Sequence, residues 1–309
     1  MKNIFFALIL GCGIVFQYQS VYAQVDDVDS DNTLATQTVD KKILANEELM
    51  KNILLNPELM KTITPEQLEE YISKGADVNA LGKYGETPLM VAAGYNHIPQ
   101  TIEVLLKYGA NINAKDENGL TPLMCLLFYN ELPENQKYVM MKIMLKFGAE
   151  VNIKSEKEQL TPLMFAILTN DTISINLLLE FGADVNIKGK KGVTALMLAT
   201  TRNQQKEKML LGFFINKDFE ISHLNAAEIV QVLIANGADV NAKFDGELPI
   251  LSVAAGSTDN PKVIQILLDN GAKIEDGNKL LDLLDKNEYI EKNQDYWDLR
   301  DRIYNEMNN

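Results

Sequence analysis

Met124 and Cys125 set a thioether beside a thiol inside the apolar run GLTPLMCLLFYN, residues 119–130. Such a pair could ligate a soft metal, act as a redox switch, or fill a core. Other groups able to bind metals or move protons are sparse. The two histidines, His97 and His223, have no metal or triad partner nearby in sequence, and a triad needs a base, its orienter and a nucleophile in one constellation. The acidic stretch VDDVDSDN, residues 25–32, lacks the glycine and distal glutamate of a calcium loop and reads as solvated. There is no G-x-G-x-x-G, phosphate loop, serine elbow or C-x-x-C. The sequence therefore names no catalytic residue, no metal ligand set and no cofactor.

The elements that would have to position these groups follow a repeat. Gly-Ala recurs at 75, 109, 148, 182, 237 and 271, at intervals of 34, 39, 34, 55 and 34, a base period of 34 with two insertions. In register with it stand Thr-Pro-Leu-Met at 87–90, 121–124 and 161–164, Thr-Ala-Leu-Met at 194–197 and Leu-Pro-Ile-Leu at 248–251. The threonine hydroxyl can accept an orphan amide at a helix start, and proline suits the first helical position because its missing N–H costs nothing there. Nine residues after each threonine comes Asn96, Asn130, Asn170 or Asn203, where a two-turn helix needs a left-handed residue to stop. Segments such as TIEVLLKYGA and SINLLLEFGA then carry apolar residues at helical spacing up to a terminating glycine, so they are second helices. ANIN, AEVN and ADVN lead into polar tips such as AKDENG and IKGKKG, which suits an extended turn back to the next helix.

On these motifs, from about residue 64 to residue 275, the chain resembles the ankyrin repeat family. The resemblance implies an all-α solenoid of stacked helix-turn-helix units with hairpin-like loops along one edge, acting as a protein-binding scaffold without chemistry of its own. The expected organisation is an N-terminal capping repeat at 46–82, five repeats over 83–274 with an insertion at 203–225, and C-terminal capping helices at 275–309. The chain departs from the family at the residue after Thr-Pro-Leu, where histidine is common and Met90, Met124, Met164, Met197 and Leu251 stand instead. His97 falls where the family often has Gly-His, and reads as a turn residue. Leu126-Leu127 replace the Ala92-Ala93 and Ala166-Ile167 of other repeats, so the first helix of repeat two is expected to pack less closely. In the N-terminal cap, Thr64 and Gln67 form a capping box. In the C-terminal cap, Trp297 is expected to pin the last helix.

The shared register of the four methionines turns the opening pair into a core marker: Cys125 aligns with Val91, Phe165, Leu198 and Ser252 and reads as a small hydrophobe.

Residues 1–23 pair Lys2 with an apolar stretch from Ile4 to Phe16 and end Val-Tyr-Ala, which resembles a cleavable bacterial signal peptide with cleavage after Ala23. The stretch is too short to span a bilayer as a helix, which takes about 17 to 25 apolar residues. Cys12 only faintly resembles a lipoprotein box, so no lipid anchor is assigned. Export predicts a periplasmic or secreted protein, with residues 24–45 as a flexible acidic leader and Cys125 as the one cysteine left. The net charge of −14, which becomes −15 without Lys2, disfavours nucleic acid and anionic membranes. The expected partner is another protein, held by a monomer.

Loops presented by a rigid scaffold carry function, so the partner is expected at the loop tips and the concave inner-helix surface. Lys154, Lys157, Lys188, Lys190 and Lys191 fall on adjacent loops, either as a basic spot for acidic groups or as solvated turn lysines. Tyr84 and Phe244, at equivalent tips, are candidate interface anchors or fold back onto a helix. Two alternatives stand: an enzyme or small-molecule sensor with a pocket around His223 or Phe213 in the insertion, and a host-directed effector.

Overall fold

The computed structural model describes residues 52–96, 98–128, 133–169, 171–201 and 226–308. Signal, leader, Cys12, His97, Asn130, Asn170 and the 203–225 insertion with His223 and Phe213 lie outside the described residues. Two compact units divide at Glu150/Val151.

Among the described residues the first unit has a 3-10 turn, Ile53–Leu55, and three helix pairs follow it. They are α1 (Pro57–Thr62) with α2 (Pro65–Ser73), α3 (Pro88–Tyr95) with α4 (Pro99–Lys107), and α5 (Pro122–Phe128) with α6 (Glu134–Lys146). First helices stack on first helices and second on second, so each unit covers its neighbour's apolar face. The 39-residue interval is absorbed largely by α6, 13 residues against the nine of α4.

The second unit contains α7 (Pro162–Leu168), α8 (Thr172–Glu180), a 3-10 turn at Lys190–Gly192, α9 (Ala195–Thr200), α10 (Ala226–Ala235), α11 (Ile250–Ser257), α12 (Pro261–Asp269), α13 (Gly277–Asp285) and α14 (Gln294–Met307). Here α7, α9, α11 and α13 form the row of first helices, while α10, α12 and α14 stack as second helices. Strands β1 (Lys243–Phe244) and β2 (Leu248–Pro249) pair antiparallel, with Phe244 opposite Leu248.

Helix starts follow from local chemistry. Thr87, Thr121, Thr161 and Thr194 each accept the amide of the methionine three residues on, at 3.3–3.4 Å. In α3 the exchange is reciprocal, because the Thr87 amide donates to Met90 Sδ at 3.4 Å. A thioether thus takes the place that a glutamine side chain holds at Thr64/Gln67, where the two bonds measure 2.9 and 3.3 Å. Leu248 has no hydroxyl to offer, and α11 starts on Pro249 without a side-chain cap. The second helices stop at Gly109, Gly148, Gly182, Gly237 and Gly271, all with φ between +85° and +90°. Met90, Met124, Met164 and Met197 are all buried at one repeated position, and Cys125 is buried at the next.

Two expectations need correction. Asn96 is not left-handed: its backbone is extended at φ −83°, ψ 136°, and its side chain is buried against the preceding repeat. Trp297 does not pin the C-terminal cap. It is half exposed, and Tyr296 beside it is the buried anchor, with its hydroxyl donating to Asp285.

Candidate functional site

Each loop begins as a narrow hairpin. The Gly82 amide donates to the Glu86 carbonyl at 2.9 Å, Asp116 to Leu120 at 3.1 Å, Ser155 to Leu160 at 3.0 Å and Gly189 to Val193 at 2.8 Å. Two residues before each threonine, or before Leu248 in its place, the chain turns left-handed, which Gly85, Gly119, Gly192 and Gly246 adopt freely. Repeat three has Gln159 there, at φ +54°.

Below the tips runs a ladder of asparagines. Asn79 Nδ2 donates to the Gly109 carbonyl at 2.9 Å, and Asn79 Oδ1 accepts the Asn111 amide at 2.8 Å. Asn113 bridges to Gly148 and Glu150 in the same way within the first unit. Asn152, Asn186 and Asn241 do so within the second, reaching Gly182 and Asp184, Gly237 and Asp239, and Gly271 and Lys273. Each carboxamide satisfies the carbonyl left over at a helix stop, which ties one repeat's loop to the next repeat's helix end. In sequence these residues read only as part of an extended turn. A signal was present, since Asn79, Asn113, Asn152, Asn186 and Asn241 recur with the same intervals as the glycines.

At the tips the loops also bond to one another. The Glu117 amide donates to the Tyr84 carbonyl at 2.9 Å in the first unit; in the second, Lys190 donates to Glu158 at 3.0 Å and Asp245 to Lys191 at 2.6 Å. Tyr84 is half-buried, its amide on the buried Glu86 carboxylate at 2.7 Å and the Lys83 ammonium 5.2 Å from its ring. Phe244 is half-buried in β1.

The five lysines fall on neighbouring loops of the second unit, but they are not equivalent. Lys190 Nζ lies 3.2 Å from the buried carboxylate of Glu158, and Lys191 Nζ lies 3.9 Å from Asp245. Lys154 donates to the Lys188 carbonyl at 3.4 Å, while the side chains of Lys157 and Lys188 stand exposed. Part of the positive charge is thus spent between loops. Glu158 and Asp245 were not singled out in sequence, because their lysine partners stand on another repeat's loop. In the first unit, burial pushes the Asp116 carboxyl up, opposed by the amides of Leu120 and Asn118 that it accepts. Among the described residues no group of three or more His, Cys, Asp or Glu side chains could hold a metal, and no helix is long and apolar enough to cross a membrane.

Within each unit, stacked helix pairs with laddered hairpin loops define a repeat protein built from short, similar elements. Comparison places it more closely: a model of ankyrin repeats in many copies matches residues 71–123, and a model of ankyrin repeats in three copies matches residues 133–219, which reach beyond the described residues. The crystal structure of the human ASB11 ankyrin repeat domain matches with a TM-score of 0.58 at 21% identity, covering 79% of this chain and 96% of that one. No curated protein matches in sequence. The chain is an ankyrin-repeat protein. Such repeats as a class are interaction modules that hold other proteins, typically without catalysis.

Proposed function

We propose that this chain is an exported, non-catalytic scaffold that binds another protein through its loop tips and inner-helix surface. The observation that carries the reading is the bonding between loops. Amide-to-carbonyl bonds at 2.6–3.0 Å join neighbouring tips within each unit, so the tips are ordered before a partner arrives. Ordering a flexible loop on binding subtracts from affinity, and a pre-organised one avoids that cost. Tyr84 and Phe244 supply aromatic surface at these tips, and Lys188 supplies exposed positive charge. Export is supported by the signal-like residues 1–23.

The binding test is capture from periplasm and culture medium by the wild-type chain and by a Tyr84→Ala/Lys188→Glu/Phe244→Ala variant of unchanged melting temperature. The same protein should be retained by the first and lost by the second. Equal capture defeats the loop-tip surface. The export test is N-terminal sequencing of the mature protein, where a start at Gln24 is expected and a start at Met1 defeats the address.

A further inference from the structure

The last described helix, α14, buries one face and leaves the other uncovered. Tyr296, Leu299 and Ile303 point into the stack, at spacings of three and four. On the opposite side Trp297, Asp301, Tyr304 and Asn308 follow at spacings of four, three and four, so they form one stripe, with Asp298 beside it. Trp297 is 48% exposed and Tyr304 58%. Trp297 is the only tryptophan of the chain, and a tryptophan and a tyrosine two turns apart on one solvent face are the residue types that anchor interfaces.

The charges around the stripe say what would cover it. The described cations that bond to α14 or to the loop before it are engaged on its flanks or underside. Arg300 forks onto Asp285 at 3.0 and 3.2 Å, and Arg302 bridges Asp269 at 2.6 Å and Glu306 at 2.8 Å. Lys292 donates to the Asp285 carbonyl, and Lys262 lies 3.9 Å from Asp295. Asp298 receives only the neutral Gln294 amide, at 2.6 Å, and no described cation reaches Asp301. The stripe is therefore aromatic and anionic, with no positive charge of its own. An ammonium or guanidinium could sit over the indole face, where cation–π attraction is strongest, with a carboxylate one turn away.

We propose that this face of α14 docks a lysine- or arginine-bearing segment of a second protein. It is a surface distinct from the loop tips and stands or falls independently of them. A second copy of this chain fits poorly, because a two-fold contact would set Asp298 and Asp301 against themselves. Nucleic acid and anionic lipid are repelled by the same carboxylates.

The full chain carries its own reporter, since all tryptophan emission comes from Trp297. It is titrated with a synthetic peptide alternating arginine and leucine, and with a control peptide carrying glutamate in place of arginine. The arginine peptide should give a saturable, salt-sensitive change and the control none. By anisotropy of the labelled arginine peptide, Asp298→Asn/Asp301→Asn should weaken binding about fivefold, in keeping with two exposed charge contacts. Tyr304→Ala should weaken it further, and Lys157→Glu/Lys188→Glu should leave it unweakened. Melting temperatures of the α14 variants should match wild type. Binding that does not saturate, or that the aspartate variant retains in full, overturns the proposal. So does a dimer in sedimentation that Tyr304→Ala disperses, which would assign the face to self-association.

Discussion

The carboxamide of Asn96 donates to the main-chain carbonyl of Met60 at 2.5 Å, across 36 positions of sequence, at a site closed to solvent. The same Nδ2 reaches the Ile63 carbonyl at 3.2 Å, and Oδ1 accepts the Ile98 amide at 2.7 Å. Asn287 repeats the arrangement in the second unit, donating to Ala255 and Thr258 at 2.9 and 2.6 Å and accepting the Tyr289 amide at 2.9 Å. One side chain thus closes the turn after its own helix and the helix end of the repeat before it. Asn96→Ala leaves two carbonyls and an amide without partners and should cost about 2–4 kcal/mol. Asn96→Asp should cost more, because a carboxylate offers two carbonyls only acceptors. Urea unfolding monitored by circular dichroism checks both, and a loss under about 0.5 kcal/mol would show that water replaces the clasp.

Gln159 stands where the other repeats have glycine, and its φ of +54° places a Cβ in the left-handed region. That conformation costs an ordinary residue about 1–2 kcal/mol, while glycine's extra chain entropy gives back about 0.5–1. Gln159→Gly should therefore stabilise the chain by about 0.5–1 kcal/mol. The reverse change, Gly85→Ala, should destabilise it, since φ is +78° and a Cβ would meet the Asp116 and Glu117 backbone at 3.4 Å. Paired thermal melts read both signs.

Asp285 and Tyr296 give the C-terminal cap a stability window in pH. Hydrogen bonding from Arg300 holds the Asp285 carboxyl below its usual range, while burial and the bond to Asp285 push the Tyr296 phenol up to about 12. The folded state holds the tyrosine proton longer than the unfolded chain, whose phenol titrates near 10. This contribution is full below about pH 10 and is lost as pH rises through about 12. On the acid side the folded state keeps Asp285 ionised longer, so that contribution exists above the ordinary carboxylate range and is lost as pH falls through the lowered value. Trp297 meets the Tyr296 ring edge-on at 4.9 Å, so its emission follows the cap. Tyr296→Phe should remove the alkaline transition from a pH titration of that emission.

Lys190 and Lys188 should separate stability from binding. Lys190→Ala leaves the buried Glu158 carboxylate without its ammonium and should lower stability by about 0.5–1 kcal/mol, the pair being discounted because Lys190 is half exposed. Lys188→Glu should leave the melting temperature unchanged and weaken partner capture. If both variants bind alike and melt alike, the lysines are solvated turn residues and nothing more.

What the sequence determined by itself was everything that depends on neighbours along the chain. Threonine three positions before a buried methionine, proline at the first turn and glycine at the stop specify the helix pairs of the first three repeats through bonds that close within one turn. Their spacing carried the resemblance that implies the ankyrin architecture, and it gave the capping box at Thr64 and Gln67 and the core role of Met124 and Cys125. What tertiary structure decided lies between repeats. Asn96 looked like a helix stop and is a clasp onto Met60; Trp297 looked like the pin of the cap and lies on its outer face; and Lys190, read as free charge, faces Glu158 from the next loop. The partners in these cases other than Trp297 lie about one repeat away, and a side chain's role at that range is set by which donors and acceptors the neighbouring repeat leaves unsatisfied. For Trp297 it was set by which side of α14 the stack covers. A period in the sequence tells which positions are equivalent, but only the packed repeats tell which of them bury their polar groups and which meet solvent.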